Sequence, residues 1–161
     1  MKLYLAGPDV FRVDASAWAQ EAQVLCRHYN CEILVPLDGD AVTPLGIYDN
    51  NIRMIEAADA VIANLNPFRG TEPDSGTCFE VGYALALGKR VIGYVGDGEL
   101  LKDRVERLQG KSLQQHNGRD WLDANGMRVE DFDLPLNLML TSSTSIVIGD
   151  LEAALLALMR S

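Results

Sequence analysis

Ala60-Val61-Ile62-Ala63-Asn64-Leu65 and Val91-Ile92-Gly93-Tyr94-Val95 are two short apolar runs of the kind that fill buried strands. Between them, residues 66–74 carry Pro67, Gly70 and Pro73, a loop composition. Residues 76–87 read as a helix, with Gly88 as its C-terminal cap. Strand, crossover helix and strand in this order imply a parallel pair.

The same alternation extends outward. Residues 2–6 form a first strand, ended by Gly7-Pro8. A helix over 14–29, capped by Asp14 or Ser16, places Trp18, Ala22, Leu25 and Cys26 at helical spacing. Residues 32–35 are a second strand stopped by Pro36, and 37–45 a loop punctuated by Gly39 and Pro44. Ile47, Ile52, Ile55 and Ala58 mark a helix over 47–58. Residues 96–133 are polar and turn-rich, with a helical piece near 99–108. A short helix over 135–140, a strand over 145–148 and an amphipathic helix over 151–159 complete the chain. The expected fold is α/β: a flavodoxin-like or Rossmann-like three-layer sandwich around a five-stranded parallel sheet, order 2-1-3-4-5. At 161 residues, one domain spans 1–161.

In such sheets ligands bind beyond the carboxyl ends of the strands, where strands one and three diverge. The loop from Gly7 and the loop over 66–74 face each other there, which brings Asp74, Gly76 and the first turns of the third helix into the crevice.

Composition narrows the partners. A net charge of −9 argues against a nucleic acid or an anionic membrane and is fully compatible with a small substrate. Three cysteines, Cys26, Cys31 and Cys78, without a CxxC pair read as free thiols in a reducing cytosol. The apolar run at the N-terminus is too short for a signal peptide, and no stretch approaches the roughly 18 apolar residues of a membrane span. A cytoplasmic location is the expectation.

The third helix holds the chemistry. From Ser75 to Gly88 its only charged residue is Glu80. An ionised carboxylate in an apolar helix must be paired, protonated or used, since burying it alone costs several kcal/mol or more. A solvent-facing Glu80 is the simple alternative, but Thr77 and Ala84 share its face and no Lys or Arg lies one turn away. Asp74, six residues earlier, either caps the helix or forms with Glu80 the carboxylate pair of a glycosyl-transfer site. Tyr4, on the inner strand, reaches the crevice as a carboxylate donor or is a core tyrosine. Residues 48–51, including Asn51, make a polar start to the second helix, for which capping is the simpler reading. Phe68 and Arg69 either stack on and contact a base or are ordinary exposed loop residues, and Asn137, a polar residue inside an apolar run, is either satisfied in the core or in contact with a sugar hydroxyl. Neither GxGxxG nor GxxxxGK[ST] occurs.

Four segments together resemble the nucleoside 2-deoxyribosyltransferase family: Tyr4-Leu5-Ala6-Gly7-Pro8, Gly46-Ile47-Tyr48-Asp49-Asn50-Asn51, the stretch from Asp74 to Ala84 with the pattern D-x-G-[ST]-x-x-E-x-G, and Asn137-Leu138-Met139. The resemblance implies a two-step exchange in which Glu80 displaces the base of a 2′-deoxyribonucleoside and an acceptor base then takes the sugar, with retention. It implies Tyr4 orienting Glu80 and Asp74 helping to protonate the departing base. Gly7, Asn51, Phe68, Arg69, Gly76 and Asn137 would bind substrate. Asn137 would reach the sugar of a neighbouring subunit, so a homo-oligomer is expected; no metal or organic cofactor is. Asn51 departs from the family's frequent aspartate. The alternatives are an N-glycosidase acting on deoxynucleosides or their 5′-monophosphates, with Ser142 and Ser143 as the only hint of a phosphate site, and a non-catalytic nucleotide-binding module.

Overall fold

The strands of the main sheet send alternate side chains to opposite faces, and both sets are apolar, so both faces of that sheet must be covered. The computed structural model describes residues 1–37 and 42–160; Gly39, expected to punctuate a loop, lies outside them. Five parallel strands, β1 (Lys2–Ala6), β2 (Glu32–Leu34), β3 (Ala60–Asn64), β4 (Arg90–Val95) and β8 (Ser145–Ile148), form one sheet in the order β2-β1-β3-β4-β8. This is the expected α/β sandwich and the expected order.

Leu3 and Leu5 point to one face, where Ala22 and Cys26 of α1 (Ala15–His28) and Ala154, Leu155 and Leu158 of α6 (Leu151–Arg160) cover them. Tyr4 and Ala6 point to the other face, against Met54 and Ile55 of α2 (Pro44–Ala57) and Val81 and Ala84 of α3 (Ser75–Ala86). The strand's two-residue period therefore puts Tyr4 beside α3. Gly93 in β4 has no room for a side chain: an added Cβ would stand 2.5 Å from Leu65 Cδ1 and 2.9 Å from Ile146 Cδ1.

The helix ends explain most shifts from the expected boundaries. α2 begins three residues early because Thr43 caps it, accepting from the Gly46 amide at 3.1 Å, and Pro44 occupies the first helical position, where its missing N–H costs nothing. Residues 48–51 are thus in the body of α2 and not at its start. Asp14 precedes α1, but its carboxylate pairs with Arg12 at 2.9 Å and makes no cap bond. α3 ends as expected at Gly88, whose φ of 71° suits glycine. There the Gly88 amide bonds Leu85 O and the Lys89 amide bonds Ala84 O, satisfying carbonyls of the last turn.

The region 96–133 holds more structure than expected. After α4 (Leu101–Gln109) come three short antiparallel strands, β5 (Gln114–His116), β6 (Asp120–Leu122) and β7 (Arg128–Val129), in a separate sheet. Asn117 and Gly118, both at positive φ, make the first hairpin, and Gly126 (φ 76°) closes the second. Leu101, Val105 and Leu113, with Trp121 and Val129, form a small core beneath. The expected helix over 135–140 is displaced to α5 (Leu138–Ser143), because Asn137 caps it. No helix among the described residues is long and apolar enough to cross a membrane.

Candidate active site

Glu80 stands in the second turn of α3, where that helix crosses α2. It lines a cavity of about 190 Å³ with Tyr48, Asn51, Ile52 and Ile55 of α2 and Gly76 and Phe79 of α3. The Tyr4 hydroxyl rises from β1 beneath and donates to Glu80 Oε1 at 2.6 Å. Asn51 Nδ2 donates to the same oxygen at 3.4 Å. Burial pushes the Glu80 carboxyl up to about 7 against the two donors, which favour its ionised form, and the charge of Asp74 adds to the rise. Tyr4 is fully buried. Burial first, and then the neighbouring carboxylate, raise its hydroxyl far above the ordinary value, so it stays protonated and donates.

Asp74 caps α3, its Oδ2 accepting from the Thr77 amide at 2.9 Å and the Thr77 hydroxyl at 3.1 Å. A side chain on Gly76 would meet that oxygen at 3.0 Å. Capping and proximity to Glu80 coexist in one residue, because the helix N-terminus that needs an acceptor also favours a negative charge. Gly7 sits where β1 leaves the sheet; a Cβ there would stand 2.8 Å from that of Asn64. Around it the strand ends are joined by polar bonds that the sequence reading did not anticipate. Asn64 Nδ2 donates to Asp9 at 2.7 Å, Asn66 Nδ2 to Asn64 Oδ1 at 2.7 Å, and the Gly96 amide to Asn66 Oδ1 at 2.7 Å.

Phe68 and Arg69 lie apart from the Glu80 cavity lining. Phe68 stacks on Phe11 with centroids 5.5 Å apart, and the Arg69 guanidinium covers Phe68 at 4.5 Å. The aromatic rings that do line the cavity are Tyr48 and Phe79, 6.1 Å apart. Tyr48 belongs to the polar segment 48–51 and Phe79 precedes Glu80, but only helix rotation reveals which way they face.

Asn137 is on the opposite side of α3. Its amide donates to Glu130 at 2.8 Å and its oxygen accepts from the Met139 amide at 2.9 Å. It lines a second, more apolar cavity of about 660 Å³ with Cys78, Val81, Gly82, Leu85 and Met139, none of which borders Glu80's cavity. Ser143 spends its hydroxyl on the Met139 carbonyl within α5. Cys78 and the buried Cys26 and Cys31 are free, and burial raises all three thiols, Cys26 to about 12. Arg104, 1% exposed, ties this half of the chain together by donating to Thr71 O at 3.2 Å and Pro135 O at 3.0 Å. Nothing in the polar sequence around it signals that burial.

The sandwich and a largely buried carboxylate held by a tyrosine from the neighbouring strand define an enzyme of the deoxyribosyltransferase and N-glycosidase class. The family model described as nucleoside 2-deoxyribosyltransferase matches residues 3–139, and the chain belongs to that family. A solved 2-deoxyribosyltransferase from Leishmania mexicana is 36% identical, with a TM-score of 0.79 over 99% of this chain and 97% of that one. A putative 2′-deoxynucleoside 5′-phosphate N-hydrolase of Thermofilum pendens is 32% identical over 119 residues, 67% of this chain and 73% of that protein. An uncharacterized protein of Schizosaccharomyces pombe is 32% identical over 113 residues; the match covers 64% of this chain but only 54% of that relative, so the chain spans about half its length.

Proposed function

We propose that this protein transfers the 2-deoxyribosyl group of a 2′-deoxyribonucleoside to an acceptor nucleobase through a covalent ester on Glu80. The observation that carries the reading is the Tyr4–Glu80 pair in a small cavity between α2 and α3. In the first half, a Glu80 oxygen bonds C1′ as the C1′–N bond breaks; the electron pair leaves with the base nitrogen, which takes a proton. In the second half, the acceptor nitrogen attacks C1′, the ester breaks, and the pair returns to Glu80 while the nitrogen releases its proton. Asp74, the cap at the N-terminus of α3 whose charge acts on Glu80, is the group assigned to that proton. Two inversions give net retention.

Hydrolysis is the second reading, favoured by the likeness to the Thermofilum protein. Among the described residues, none of the side chains lining the Glu80 cavity is basic, which favours an unphosphorylated nucleoside over its 5′-phosphate. Asn137 faces away from its own Glu80, so any contact with sugar is with a neighbour's, and we assign the protein a homo-oligomeric state. The test is incubation with deoxyinosine, with and without adenine. Deoxyadenosine formed only with adenine is the expected result; hypoxanthine released equally fast without it makes the enzyme a hydrolase.

A further inference from the structure

Asn51 is an asparagine whose amide is satisfied at one end only. Nδ2 points at Glu80 Oε1 over a long 3.4 Å, while Oδ1 is buried and has no hydrogen-bond partner among the described residues. A buried acceptor left without a donor costs about 1–3 kcal/mol, more than a long bond at the other end returns. A residue serving the fold alone would satisfy both ends or be apolar, as its neighbours Ile52 and Ile55 are. What the arrangement does achieve is a second donor on the oxygen that Tyr4 already holds. No described residue donates to Oε2.

We propose that Asn51 is a positioning residue which, with Tyr4, clamps Oε1 of Glu80 and so leaves Oε2 as the oxygen that attacks C1′. The inference rests on the glycosyl-transfer reading and adds to it the reacting atom and the residue that selects it. A carboxylate has two equivalent oxygens; two donors on one of them fix its plane and draw charge towards that oxygen, while the other keeps its lone pairs free for the sugar. Oε2 forms the ester in the first half-reaction and recovers its electron pair in the second. The Asn51 N–H also favours the Glu80 anion against burial, while an aspartate at 51 would raise the pH at which Glu80 ionises without removing the residue's position beside Oε1.

The test uses Asn51→Ala and Asn51→Asp beside the parent enzyme, following deoxyinosine-to-adenine transfer across pH and thermal unfolding. Asn51→Ala is expected to lose about ten- to a hundredfold in kcat with KM nearly unchanged, the size of one donor lost from a reacting group. Its acid limb of kcat/KM moves to higher pH, and its thermal midpoint equals or exceeds the parent's because the unpaired oxygen is gone. Asn51→Asp moves the limb further and regains rate at high pH. A lower midpoint with unchanged rate in Asn51→Ala, or the same acid limb in all three proteins, overturns the assignment. A parent that turns over no deoxynucleoside overturns the transfer reading itself, and this inference with it.

Discussion

Tyr4 and Glu80, 76 residues apart in the chain, meet at 2.6 Å with the hydroxyl as donor. The bond crosses from the central strand to the helix above it. It gives a largely buried carboxylate a partner that cannot neutralise it, which suits a group that must be anionic to react.

The pH dependence of turnover follows. With Glu80 raised to about 7, the acid limb of kcat/KM is expected near that pH and not near 4.5. Tyr4→Phe removes a donor that favours the anion, so the limb moves up and the rate at neutral pH falls. An unmoved limb in that variant would separate the tyrosine from the titration.

Stability carries the opposite sign of the same shift. Glu80 binds its proton more tightly folded than unfolded, so its contribution to stability is full below about 4.5 and is lost as pH rises through 7. At pH 8 the ionised side chain costs roughly 3 kcal/mol relative to pH 4. Glu80→Gln should therefore abolish transfer and raise stability at pH 8 more than at pH 4, as read from urea midpoints at the two pH values.

Asp74 separates capping from charge. Asp74→Asn keeps an oxygen for the Thr77 amide and should stay within about 0.5 kcal/mol of the parent, while Asp74→Ala loses about 1 kcal/mol. Because the Asp74 charge raises the Glu80 pKa, both variants move the acid limb down. Both also slow transfer if Asp74 handles the base proton; denaturation curves and pH–rate profiles on the same preparations check all three.

Arg104→Ala leaves the Thr71 and Pro135 carbonyls without their donor and frees Glu99 from a buried partner. Glu99 keeps Arg107 at 2.7 Å, so the expected loss, from the carbonyls left without a donor, is about 2–4 kcal/mol, measured by chemical denaturation. Since these contacts hold the loop leading to Asp74 and the one leading to Asn137, residual folded protein should also lose activity per molecule.

Much of this architecture is local and was open to reading. Short apolar runs of three to six residues, each followed by helical spacing, specify strands and crossover helices wherever both faces of a sheet are buried, and Glu80 declares itself as the only charge in α3. The small sheet escaped because β5, β6 and β7 are two or three residues long, too short for alternation to register. Its one strong signal, Asn117-Gly118 in a tight hairpin, was present and passed over. The early start of α2 likewise was written in Thr43-Pro44, read as a break where it is a cap and a first helical residue.

The sequence by itself thus determined the fold, the strand order's parallel logic and the carboxylate at its centre, because each depends on neighbours along the chain. Only the tertiary structure decided what surrounds that carboxylate. Helix rotation put Tyr48, Phe79 and Asn51 in its cavity, while the path of the chain into α5 set Asn137 on the other side of α3. The pleat of β1 aimed Tyr4 at Glu80, and the meeting of two donors on one oxygen arose from elements whose separation along the chain carries no periodic signal.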